Sequence, residues 1–195
     1  DSRKAGENML FVPIAGENND GHDFIGSAFE KGADVVITHR DIPAVMNKNI
    51  IRVADTRIAL GDIAAYYKAK YNLPTVAITG SVGKTSTKDM VACVLENRFK
   101  VLKTEGNYNN EIGLPLTAFR MESTDEIAVF EMGMSAFGEI SRLTQIAAPE
   151  TAIITNIGFS HIEHLGSQEG ILKAKLEIIE GMPSSGDGTL ILNGD

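Results

Sequence analysis

The chain has 195 residues, 43% of them hydrophobic and 23% charged, the balance of a globular protein able to bury one large core or two small ones. Eighteen basic against 26 acidic residues leave a net charge of −8, which argues against a general nucleic-acid-binding face. The single Cys93 excludes an internal disulfide and a cysteine metal cluster and suits a reducing, cytoplasmic setting, and no stretch reads as a signal peptide or a bilayer span. In chain order, Met9–Ile14 and Val35–Thr38 read as strands with a short helix over Phe24–Lys31 between them. Ile50–Val53 reads as a further strand and Arg57–Lys70 as a helix. Asn72-Leu73-Pro74 marks a boundary, because the residue before proline resists helix and a new strand starts at once. Beyond it, strands at 75–79, 127–131, 151–155 and 189–193 alternate with helices near 84–98, 137–147 and 168–181. The fold class expected is α/β: a small N-terminal α/β domain over 1–73, then over 74–195 a mostly parallel, P-loop-type sheet with helices on both faces. A doubly wound sheet ordinarily continues past its last strand here, and the chain starts at Asp1 rather than Met, so both domains are expected to be incomplete.

The stretch AITGSVGKTSTKDM, 77–90, sits where an apolar run, Thr75 to Ile78, gives way to a helical pattern. Met90, Val91, Val94 and Leu95 recur at helical spacing, with Lys88, Asp89 and Glu96 off that stripe. Strand, glycine turn and helix start make an anion site, because backbone N–H groups and the helix dipole both favour negative charge there. The usual phosphate loop is G-x-x-x-x-G-K-[ST]. Here Ile78 stands five positions before Gly83, leaving the tighter G-x-x-G-K-T from Gly80 to Thr85. Gly80, Ser81, Val82, Gly83, Lys84, Thr85 and Ser86 are therefore the expected ATP-phosphate residues, with Lys84 as cation and Thr85 as a Mg²⁺ ligand.

Four further stretches carry chemistry. Glu131 ends the apolar strand of VFEMG, at the edge where open α/β sheets bind ligands, and a carboxylate there suits Mg²⁺. TNIGFSHIEHLGS follows the next strand and brings Asn156 and His161 to the same edge; the three-residue spacing of His161 and His164 is a weak zinc signal without cysteines. Lys173, Lys175 and Glu177 of KAKLEII read by themselves as a solvated helix face. The asparagines of TEGNYNNEIGLPLT, Asn107, Asn109 and Asn110, serve either turn geometry or the binding of a sugar or peptide.

GSVGKTSTK, TEGNYNNEIGLPLT, FEMGMSAFGEI, TNIGFSHIEHLGS and AKLEI, in this order and spacing, resemble the Mur ligases of peptidoglycan synthesis. DSR at 1–3, LFVPIAGENNDGHDFI at 10–25 and ALGDIA at 59–64 resemble the family's N-terminal, UDP-binding domain, so that the likeness covers essentially the whole chain. The resemblance implies an ATP-dependent amide ligase, with UDP-N-acetylmuramoyl-tripeptide and D-alanyl-D-alanine as substrates and an acyl phosphate between them. It implies ATP and Mg²⁺ as cofactors, a monomeric full-length enzyme, and no nucleic-acid or membrane partner. By position it gives Lys84, His161 and Lys175 catalytic roles, and Thr85, Glu131, His161 and Lys175 (as its carbamate) to metal. Ser2 and Arg3 resemble residues near the UDP moiety, and Asn109 and Asn110 those lining the muramoyl-peptide channel. Family members have three domains, and the C-terminal one has no counterpart here, so amide synthesis by this chain alone is not expected. Another ligase of the superfamily, a non-catalytic nucleotide- or UDP-sugar-binding fragment, and a nucleotide-gated interaction protein remain as alternatives.

Overall fold

The computed structural model describes residues 1–16, 18–42 and 49–194. They fall into two compact units, Asp1–Leu60 and Gly61–Asp195. In the first, strands β1 (Leu10–Phe11), β2 (Val35–Thr38) and β3 (Asn49–Arg52) form a parallel sheet in that order, and helix α1 (Ile25–Glu30) follows a 3₁₀ turn at Gly21–Phe24. Phe11, Ile25, Ala28, Ala33 and Val36 make its core. β1 is shorter than the six-residue run of its sequence pattern. Pro13 has no N–H to give a ladder, and the carbonyl of Ile14 accepts instead from Gly21 N at 3.0 Å. Gly21 is required there, since a Cβ would lie 2.6 Å from the Ile14 nitrogen.

Helix α2 (Thr56–Ala69) starts where the Asp55 carboxylate accepts from the backbone of Arg57 and Ile58, and the division between the units falls within it. The second unit holds β4 (Thr75–Thr79), α3 (Lys84–Leu95), β5 (Val101–Lys103), α4 (Gly113–Ala118), β6 (Ile127–Glu131), α5 (Glu139–Ala147), β7 (Thr151–Ile154), α6 (Ile162–Leu165), α7 (Gln168–Leu176) and β8 (Thr189–Leu192). Among the described residues its five strands are all parallel, in the order β5-β6-β4-β7-β8. The chain leaves central β4 toward β5 through α3, then returns across the sheet to β7 and β8 through α5 and α7. Right-handed crossovers in opposite directions put α3 on one face and α4, α5 and α7 on the other. Ala77, Phe130, Leu143, Ile146, Ile171 and Ile178 are buried in the large core between them.

The sequence pattern misses β5 and α4. β5 is three residues long, preceded by Lys100 and ending on Lys103, too short to show a period. α4 carries Pro115, which sits in the first turn, where no intrahelical N–H bond is lost, and is buried with Leu114. Helix α7 ends at Leu176 and passes into a 3₁₀ turn at Glu177–Gly181, rather than running on as one helix to 181. The close contact explains the change: Thr144 Oγ1 donates to Ile178 O at 2.7 Å, and a Cβ on Gly181 would come within 2.2 Å of Thr144 O. The face of α3 turned to the sheet also differs from expectation. Met90 and Val94 are 70% and 71% exposed, whereas Lys88 is buried and donates to Thr104 O at 2.9 Å.

Candidate phosphate and metal site

β4 is the central strand, and the direction of the chain reverses around it, so the loops after β4, β6 and β7 open at one sheet edge, the usual ligand crevice. Gly80 has φ 151° and a Cβ on it would stand 1.9 Å from Thr155 Oγ1, so only glycine lets the first loop lie against the loop after β7. Gly83 caps α3 at φ 80° with no side chain over the helix start, which leaves the N–H groups of the first turn open to an anion. Lys84 Nζ donates to Gly80 O at 2.9 Å and curls over the loop. Thr85 and Ser86, in the first turn, are exposed.

Glu131 is buried at the end of β6. Its Oε1 accepts from Asn109 Nδ2 at 2.8 Å and its own N–H donates to Thr104 Oγ1 at 3.0 Å. Its Oε2 is buried without a hydrogen-bond partner. An unsatisfied buried carboxylate oxygen is costly, and a cation removes that cost, so the residue fits a hard metal ion. Lys175, in the last turn of α7, is also buried. Burial, with the Lys84 charge as the second cause, pushes its pKa down to about 8. His161 stands at the N-cap of α6 with φ 63° and an exposed side chain. No cluster of three His, Cys, Asp or Glu forms a metal cage among the described residues, so a cation here would draw ligands from hydroxyl, phosphate or a modified side chain as well.

The family model of the Mur ligase middle domain matches residues 78–195, more than half of the chain. The chain belongs to the Mur ligase family. A second model, Mur ligase family, catalytic domain, matches residues 1–68. Over its whole length the chain is 50% identical to the UDP-N-acetylmuramoyl-tripeptide–D-alanyl-D-alanine ligase of Bacillus subtilis and 38% identical to that of Escherichia coli. It spans 42% of the length of each. A crystal structure of MurF from Acinetobacter baumannii superposes with a TM-score of 0.93 at 35% identity, covering all of this chain and 42% of that one. The MurF ligase of Thermotoga maritima, solved in complex with ADP, superposes with a TM-score of 0.87 at 36% identity over 93% of this chain and 42% of its own.

In this Mur ligase chain the remaining candidates divide between the units. Asn109 orients Glu131, and Asn110 Oδ1 accepts from Ile112 N and Gly113 N at 3.1 and 2.8 Å, which starts α4. Ser2 and Arg3 belong to the first unit, where they line a cavity of about 520 Å³ with Phe11, Pro13, Asn19 and Phe24. Arg3 is paired there with Asp1 at 2.8 Å. Cys93 is a free, exposed thiol. Three polar residues support the site without being evident as functional in the sequence: Lys88, Thr104 and Thr155. Lys88 reads as an outward residue, and only its burial against the Thr104 carbonyl shows that it fixes Thr104, whose hydroxyl accepts from Glu131 N–H. No helix of the described residues is long and apolar enough to cross a membrane.

Proposed function

We propose that residues 1–195 supply the UDP-substrate and ATP-phosphate portions of a ligase that adds D-alanyl-D-alanine to UDP-N-acetylmuramoyl-tripeptide in cytoplasmic peptidoglycan synthesis. The relatives named for that reaction, similar along the entire chain, support the reading. The single observation that carries it is the open, Gly83-capped start of α3, after β4, at the same sheet edge as a buried Glu131 with one unpartnered oxygen at the end of the adjacent β6. In this reading the Asp1–Leu60 unit holds the uridine diphosphate end through Ser2 and Arg3, while the second unit handles phosphate transfer. The full-length enzyme acts as a monomer, with no nucleic-acid or membrane partner.

Gly80 to Ser86 form the loop and helix start that seat the ATP phosphates, with Lys84 as the cation. Thr85, Glu131 and His161 would hold Mg²⁺, and Asn109 keeps Glu131 turned toward it. Bound Mg²⁺ supplies charge neutralisation, so that a carboxylate can approach a polyphosphate. The substrate carboxylate oxygen attacks the γ-phosphorus and ADP leaves with the bonding pair, giving an acyl phosphate. The amine of D-alanyl-D-alanine then attacks the acyl carbon, loses a proton and expels phosphate. Lys175, partly neutral near physiological pH, is the residue able to take up CO₂ as a carbamate with release of one proton. The resulting anion offers oxygen where an ammonium would repel the metal. Asn110 lies beside Asn109 at the mouth of the muramoyl-peptide channel.

Because the chain spans 42% of its relatives' length, binding without turnover is the behaviour proposed for residues 1–195 by themselves. Calorimetric titration with ADP and Mg²⁺ tests the reading. Lys84→Ala should weaken binding at least about tenfold, the loss of a charge-assisted contact, with an unchanged circular-dichroism spectrum. Equal affinity in the variant would remove the loop from nucleotide binding.

A further inference from the structure

We propose that Asn156 is a positioning residue that sets the shortened phosphate loop and couples nucleotide binding to cation binding, an inference that rests on reading Gly80–Thr85 as the nucleotide site. The loop lacks two residues of the common phosphate loop, and its crest is only Ser81 and Val82. Val82 is 63% exposed, yet both of its backbone groups are engaged. Its N–H donates to Asn156 Oδ1 at 3.0 Å, and its carbonyl accepts from Asn156 Nδ2 at 3.1 Å and Thr155 Oγ1 at 2.6 Å. A primary amide carries one acceptor and one donor side by side, the complement of a residue's N–H and C=O. A carboxylate or hydroxyl in its place supplies only half of that pairing.

The neighbouring residues complete the clasp. Ser81 N donates to Asn156 O at 3.1 Å, and Gly158 N donates to Ser81 Oγ at 2.9 Å. The second loop thus replaces the missing turn of the first. The Val82 N–H is taken, so the donors left for phosphate are those of the first turn of α3. The same segment runs on, five residues past Asn156, to His161 at the start of α6. A cation that draws in His161 therefore pulls on the backbone that fixes Ser81 and Val82, and a nucleotide that fixes the loop presets His161. Such coupling is reciprocal.

The test is titration of the chain with ADP, with and without Mg²⁺, for the wild type, Asn156→Ala, Asn156→Asp and Thr155→Val. In the wild type Mg²⁺ should tighten ADP by about tenfold or more. In Asn156→Ala, ADP alone should weaken about tenfold, the effect of losing a pair of hydrogen bonds, and the gain from Mg²⁺ should shrink to less than about threefold. Asn156→Asp keeps the acceptor for Val82 N–H and should fall between, while Thr155→Val should weaken ADP and retain the Mg²⁺ gain. If Asn156→Ala does not fold, as judged by its melting curve, the Asp and Val variants carry the comparison. Weakening by one factor with and without Mg²⁺ means that Asn156 only supports the loop, and it overturns the coupling, as does unchanged binding. A wild-type chain that binds no ADP at all contradicts the nucleotide reading itself.

Discussion

Lys175 illustrates how one side chain can be costly to the fold and still suit the chemistry proposed for it. An ordinary lysine, with a pKa near 10.4, is a neutral amine in about one molecule in a few thousand at pH 7. With a value of about 8, on the order of a tenth is neutral, enough to react with CO₂. Labelled bicarbonate should therefore give a carbamate carbon signal that grows as pH rises through 8 and is missing in Lys175→Met. A free amine at pH 8.5 in excess bicarbonate would rule the modification out. The same shift fixes the sign of a stability effect. Below pH 8 the lysine is protonated in both folded and unfolded chains, and the burial penalty is present in full. Between about 8 and the ordinary lysine value the folded chain sheds its proton first, so stability rises with pH across that window. Lys175→Met should be more stable than the wild type at pH 7, with a flatter profile above 8.

At the scale of elements, α5 shows why some of the site was legible in the sequence and some was not. Its start is Gly138, at φ 85° and with no capping side chain of its own. The cap comes from Glu177, whose carboxylate accepts from Gly138 N at 2.9 and 3.0 Å and from Ser141 N at 3.1 Å. A negative group on a helix start is stabilising through both the bonds and the dipole. Glu177→Ala should lower unfolding free energy by about 1–2 kcal/mol in urea denaturation; an unshifted midpoint would show the cap to be idle. No local pattern announces a cap delivered from 39 residues away. The strands β4, β6, β7 and β8 and the glycines of the phosphate loop were readable because buried parallel strands and anion-binding turns are local in sequence. The inward turn of Lys88 and the two-residue length of β1 were not, since each depends on a partner that only the folded chain supplies. Among the site residues, Lys84 and Glu131 could be placed from strand ends alone. The unpartnered oxygen of Glu131 could not.

For the whole molecule, the parallel sheets set both an association hazard and an order of events. Among the described residues β8 is the last strand on one side of the larger sheet, and Leu190, Ile191 and Leu192 are 37%, 46% and 55% exposed. An aliphatic strand with a free edge is a template for another chain. The isolated chain should therefore associate with rising concentration in a light-scattering dilution series, and Ile191→Lys should suppress it; a monodisperse wild type up to millimolar concentration would contradict this. β4, which carries the phosphate loop, lies in the middle of the sheet, yet both of its neighbours come later in the chain. It ends at Thr79, and its first partner, β6, begins at Ile127. At a ribosomal rate of about 5–20 residues per second, β4 waits roughly 2–10 s for any sheet partner. During that interval its apolar side chains depend on α3, the helix packed against it, for cover, so substitutions that weaken α3 should lower the yield of folded protein made in cells more than they lower its equilibrium stability.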